Sequence, residues 1–183
     1  VIPPDFLFEK DKTIKHGQEF IDRLNLEGLS SIDILFCPQG NNLAEWMECY
    51  EWALDNPAIQ TIGLSKITVP KIFNNCSGDD NIAVGRMAGV NYLRKHNLLK
   101  KPIHLLGGAY IEEFQAYNRL EERSMFRSTD SCFTILAGYH YLDIMSDDYV
   151  RHDTPSHYFD LNLSFKQQSI AISNIESLKL AIH

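Results

Sequence analysis

An α/β fold of parallel strand–helix units is what the sequence predicts, and three observations predict it. Short apolar runs alternate with stretches whose apolar residues recur at helical spacing. Within each run consecutive positions are apolar, as in strands buried on both faces. The runs end in Gly, Pro or Asp, residues that break a strand. Alternation of this kind joins parallel strands through right-handed crossovers. Five such units do not close a barrel of eight, so two architectures stay open. One is the later part of a TIM-barrel-like (βα)8 barrel whose first strands are missing from the chain, the other an open doubly wound sheet. Both place ligands at the carboxyl ends of strands.

Residues 1–4 read as an apolar strand ending at Asp5. Thr13 is the expected N-cap of a helix carrying Ile14, Gly17, Ile21 and Leu24, with Gly28 as its stop. Residues 32–37 form the second apolar run, closed by Pro38-Gln39-Gly40, after which Asn42 caps a helix bearing Leu43, Trp46, Met47, Tyr50 and Leu54 on one face. Residues 59–64 are the third strand. A polar loop over 74–80 follows, then a helix whose inner stripe is Ile82, Gly85, Gly89 and Leu93. The fourth strand, 103–106, runs into Gly107-Gly108 and a short helix near 111–117; the fifth, 125–129, ends at Asp130. Residues 133–143 are aromatic without a clear period, 147–159 read as an irregular loop rich in His and Asp, and Asn174 is expected to cap a last helix with Ile175, Leu178 and Ile182.

At 183 residues the chain suits one core, so residues 1–183 are expected to form a single domain, incomplete at its N-terminal side. A net charge of -7 argues against the broad basic surface that binding a nucleic-acid backbone requires. The basic spots at Arg94, Lys95, Lys100 and Lys101, and at Arg119, Arg123 and Arg127, read as solvated helix faces. Four scattered cysteines show no CxxC spacing, and no apolar run approaches the roughly 20 residues that span a bilayer. The expectation is a soluble, reduced, cytoplasmic protein with no membrane partner. The chain carries no GxxxxGK[ST] loop, no GxGxxG after a strand and no GxSxG elbow, so no cofactor is expected. His140, His152 and His157 with Asp143, Asp147, Asp148 and Asp153 match no ligand spacing of the HExxH kind, and no metal site is expected. His104 and Cys37, inside apolar runs, read as core residues.

The strand ends supply the chemistry-bearing residues: Asp5, Gln39 with Gly40, Gly63 with Leu64, Gly107 with Gly108, and Asp130. A strand-end carboxylate can act as nucleophile or base, an amide offers paired donor and acceptor, and glycines let a flat ligand approach backbone amides. The set suits a nucleobase pocket. Each member also has a plainer role, as turn glycine, helix cap or loop residue.

In order and spacing these strand ends resemble the tRNA-guanine (queuine) transglycosylase superfamily, more closely its short phage and bacterial relatives. The resemblance spans residues 1 to about 139, with 174–180 similar to the closing helix. It rests on Ile2-Pro3-Pro4-Asp5, Phe36-Cys37-Pro38-Gln39-Gly40, Ile62-Gly63-Leu64, His104-Leu105-Leu106-Gly107-Gly108 and Ser128-Thr129-Asp130-Ser131. It implies a barrel in which Asp130 is the nucleophile and Asp5, Gln39 and the Gly63-Leu64 backbone hold the base. The activity implied is base exchange or base release on a nucleotide or nucleic acid; an inactive barrel that binds a nucleotide-like ligand or a protein partner is the alternative. The family's first strands, with an aspartate acid/base, would precede Val1. Its zinc-ligating cysteines after the nucleophile have no counterpart here, which implies that the zinc subdomain is lacking.

Overall fold

The computed structural model describes residues 1–74, 82–108 and 110–182. The elements in chain order are α1 (Lys10–Leu26), β1 (Ile34–Phe36), α2 (Leu43–Asp55), β2 (Ile59–Ser65), α3 (Thr68–Asn74), α4 (Ile82–Lys95), β3 (Ile103–Leu106), α5 (Ile111–Asn118), β4 (Phe126–Asp130), α6 (Phe133–Tyr139) and α7 (Phe165–Ile182). The four strands form one sheet in the order β1-β2-β3-β4, with β1–β2 and β2–β3 parallel. The strand order follows the chain order without reversal.

The chain divides into two compact units, the first of residues 1–106 and 124–129, the second of 107–123 and 130–183. In the second unit α5 and α6 both pack against α7, which gives the later helices a core of their own.

In the first unit residues 1–4 are not assigned as a strand, yet Val1 lies beside β1. Its terminal ammonium donates to the Asp33 carbonyl at 2.7 Å, and the Leu35 N–H donates to the Val1 carbonyl at 2.9 Å. That pair of bonds is the pattern of a parallel bridge to Ile34. Phe36 faces the helices, where Gly17 of α1 lies against its ring and Trp52 of α2 packs on it with centroids 5.0 Å apart and the rings tilted by 56°. Ile34, Phe36, Ile62, Leu64, Ile103 and Leu105 are buried, together with Trp46, Tyr50, Val90 and Leu93 from the helices. On the opposite face of the sheet Gly63 lies under the side chains of Leu35 and Leu106, whose carbons would stand 3.0 and 2.9 Å from a Cβ.

Three local expectations are corrected. Helix α1 begins a turn before Thr13, which is buried inside it and bonds the backbone of Phe6, accepting from N–H at 3.0 Å. A helix, α3, occupies Thr68–Asn74 and so takes in Asn74, the expected start of the polar loop; Pro70 is tolerated in its first turn because the N–H it lacks has no intrahelical partner there. The remainder of the polar loop, 75–80, lies outside the described residues. Asn174 is not a cap but sits within α7, fully buried, its amide bonded to Ile144 N–H, Thr134 C=O and Leu142 C=O. Gly138 brings α6 within 2.6 Å, measured from an added Cβ, of Ala171 on α7, so only glycine fits that crossing. Asn42 does cap α2, accepting from Glu45 N–H at 3.0 Å, and Gly28 ends α1 at φ +72°.

Candidate functional site

Two groups of strand-end residues gather, one in each unit. In the first unit the centre is Gln39. The chain turns from β1 into α2 so tightly that a Cβ on Gly40 would stand 2.4 Å from the Trp46 backbone nitrogen. Glycine is therefore required at 40 by packing, and the turn draws Gln39 fully inside. Its Oε1 accepts from the Thr68 hydroxyl at 2.6 Å and from Phe8 N–H at 3.3 Å, while Nε2 donates to the Asp5 carboxylate at 2.6 Å and to the Cys37 sulfur at 3.4 Å. The amide orientation is forced, because a backbone N–H can only donate and the carboxylate accepts. Gln39 thereby ties the end of the first strand-like segment to the ends of β1 and β2.

Asp5 is exposed, with one carboxylate oxygen fixed by Gln39. Phe8 reaches Gln39 by adopting φ +64°, a left-handed conformation that costs a bulky residue about 1–3 kcal/mol. The Lys71 ammonium, 3.9 Å above the Phe8 ring, helps to hold it there. Burial pushes the thiols of Cys37 and Cys49 up, the latter to about 12, so both are neutral packing residues that meet Gln39 rather than nucleophiles.

Leu64 ends within reach of Arg86. That side chain is fully buried in α4 and donates to the Leu106 carbonyl at 2.7 Å and the Leu64 carbonyl at 3.4 Å, linking the carboxyl ends of β2 and β3. Gly85 and Gly89 press α4 onto Pro70 and Val69 of α3. Gly63 is enclosed by Leu35 and Leu106. Half-buried His104 bonds Ser128 through Nδ1 at 2.8 Å.

In the second unit Asp130, Gly107, Gly108 and Ser131 come together. The exposed Asp130 carboxylate accepts from Gly107 N–H at 2.9 Å, and its backbone carbonyl accepts from Gly108 N–H at 3.2 Å. Gly107 stands at φ +68°, where a side chain would be strained. The Ser131 hydroxyl donates to the Gly108 carbonyl and accepts from Phe133 N–H, taking the local capping role that Asp130 would otherwise fill. Asp130 is thus an exposed carboxylate oriented by a backbone donor, which suits a nucleophile, a base or an acceptor for a ligand N–H.

The predicted row therefore divides, with Asp5, Gln39, Gly40, Gly63 and Leu64 in the first unit and Gly107, Gly108 and Asp130 in the second. Among the described residues no three His, Cys, Asp or Glu side chains are grouped to hold a metal ion. His140 and His152 instead stack, ring centroids 4.0 Å apart, and burial followed by the neighbouring His152 lowers the His140 pKa. Among the described residues no helix is long and apolar enough to cross a membrane.

Sequence reading missed Thr68, Phe8 and Arg86. Arg86 had a signal: it falls on the same stripe of α4 as Ile82, Gly85, Gly89 and Leu93, where a charge is out of place without buried partners. Phe8 and Thr68 had none, since each acts through a tertiary bond to Gln39. No family model, curated protein or solved structure matches the chain.

Proposed function

We propose that the chain carries out transglycosylase-like base exchange or base release on a nucleotide or nucleic acid, with Asp130 as nucleophile, in a cytoplasmic setting. The observation that carries this reading is the exposed Asp130 carboxylate at the end of β4, oriented by Gly107 N–H. Consecutive strand order supports it too. A doubly wound sheet reverses order at a switch point, whereas an arc of a (βα)8 barrel does not, and the Val1 bridge extends the unreversed row by one segment.

In the proposed reaction an Asp130 oxygen bonds to the anomeric carbon as the bond to the base nitrogen breaks. The electron pair leaves with the base, which takes up a proton from solvent, and the incoming nucleophile later returns one to solvent. A nitrogen of an incoming base, or water, then attacks the same carbon and returns the carboxylate. No oxidant or reductant enters. The transition state is cationic at the sugar, and an adjacent carboxylate stabilises it. In the first unit, taken by itself, Asp5 is a carboxylate that suits a ligand N–H, and Gln39 is its positioning residue, because the Gln39 amide is satisfied within the protein. The acidic charge favours a free nucleobase or nucleotide over a polymer.

The test measures incorporation of a labelled nucleobase into, and release of base from, nucleosides, nucleotides and oligonucleotides. The wild type is expected to exchange or release base, and Asp130→Asn to lose at least about a thousand-fold in rate. Undiminished turnover in both Asp130→Asn and Asp130→Ala removes the nucleophile. A second reading, binding of a nucleotide-like ligand without chemistry, is favoured by the burial of Gln39, which leaves fewer groups to grip a base than the resemblance implies.

A further inference from the structure

A groove of about 390 Å³ runs along the second unit between the last turns of α5 and α7. That volume lies in the range of small-ligand sites. Its polar wall is Gln115, Asn118, Arg119 and Ser177, and its apolar wall includes Met145, 51% exposed, and Leu180, 80% exposed.

Two features set this groove apart. First, among the described residues no acidic side chain lines it, although the chain has 24 acidic residues against 17 basic ones. The four polar side chains bring many N–H and O–H donors and only three acceptor oxygens. Secondly, among the described residues Gln115 makes no side-chain hydrogen bond, whereas Gln18, Gln39, Gln60, Gln167 and Gln168 all do. Asn118, Ser177 and the Arg119 guanidinium are likewise without a side-chain bond or ion pair among the described residues.

We infer that this groove binds a small amphiphilic carboxylate, its head on Arg119 and the neighbouring amides and its apolar body along Met145 and Leu180. A donor-rich wall calls for an acceptor-rich group, and a guanidinium pairs with a carboxylate through two parallel hydrogen bonds. The exposed Met and Leu call for a hydrocarbon body that removes them from water. Helix C-termini disfavour anions, but at α5 the carbonyls of Ala116 and Tyr117 already accept from the backbone N–H groups of Arg119 and Leu120. The Arg119 guanidinium carries a full charge against the half-charge at each of the two helix ends that border the groove. The site is independent of the reaction proposed for Asp130.

The test titrates the full chain with octanoate, octan-1-ol as the uncharged control, following backbone amide shifts and heat. Octanoate is expected to saturate with a Kd near or below about 1 mM, moving the amides of Gln115, Arg119, Ser177 and Leu180, with octan-1-ol at least tenfold weaker. Arg119→Gln is expected to weaken octanoate tenfold or more and erase the preference for the acid. Leu180→Ser weakens both ligands, and Arg23→Gln, on α1, changes neither. All are exposed positions, and unchanged melting temperatures verify folding. Absence of saturation, shifts centred elsewhere, equal binding of the alcohol, or full affinity in Arg119→Gln each overturns the inference.

Discussion

Gln39 uses both ends of its amide inside the protein, so its removal orphans groups on three segments at once. Gln39→Leu leaves the Thr68 hydroxyl and Phe8 N–H without their acceptor and Asp5 without its donor. A buried group left unsatisfied costs about 1–3 kcal/mol, and Phe8 also loses a bond that holds its left-handed backbone. We expect a loss of about 2–4 kcal/mol in urea unfolding. Gln39→Glu is expected to be worse at neutral pH and to recover as pH falls, because a carboxylate then replaces the donor 2.6 Å from Asp5 and the two can share a proton only in acid. Equal stability of Gln39→Glu at pH 7 and pH 4.5 contradicts this account of Asp5. Gln39 was legible as a strand-end residue from its place between Pro38 and Gly40. That the amide points inward was not legible, because it depends on Thr68 and Phe8, each about 30 residues away.

Titration extends the residue-scale argument. The buried thiols of Cys37 and Cys49 stay protonated well above their usual 9.0, whereas the unfolded chain ionises them from about that pH. The folded state then binds more protons, so stability falls as pH rises past 9. Cys49→Ala is expected to flatten that fall in urea midpoints taken between pH 8 and 10.5. His140 has the opposite sign. Its folded pKa is lowered from 6.5, so the unfolded chain takes up more protons as pH drops through that value, and stability declines on acidification. His152→Asn removes one of the two causes and makes the decline shallower.

At the scale of elements, glycines set how closely neighbours approach. Gly40→Ala would put a methyl group 2.4 Å from the Trp46 nitrogen, against backbone that cannot rotate aside, and is expected to cost about 1–3 kcal/mol or more. Asn174→Leu strips partners from Ile144 N–H, Thr134 C=O and Leu142 C=O. Hydrogen exchange should show its loss of protection concentrated in residues 134–144 and 165–182; a uniform loss along the chain contradicts the role given to Asn174. Most elements were legible from period and caps: α2 from Asn42 and its apolar stripe, β1 to β3 from their continuous apolar runs. The failures share a cause. Thr13 and Asn174 carry strong local signals as caps, and in each case a tertiary partner decides otherwise.

For the whole molecule, the order in which strands join is the feature that composition and period left undecided. Alternating units predict parallel pairing but not whether the winding reverses, since both architectures use the same local pattern. The sheet runs in chain order, and Val1 bridges Ile34 beyond its first strand. Of the predicted site, the strand-end positions were legible as positions. Their roles were legible only in part, because Gly40 and Gly63 answer to packing and Gln39 to Asp5, while Asp130 keeps an exposed carboxylate. The measurement that bears most directly on Asp130 as nucleophile is mass spectrometry of the intact chain quenched in acid during turnover with a nucleoside or nucleotide. The account predicts a sugar-sized adduct that maps to Asp130 and disappears in Asp130→Asn. Base exchange or release with no adduct on Asp130, persisting in Asp130→Asn, would contradict it.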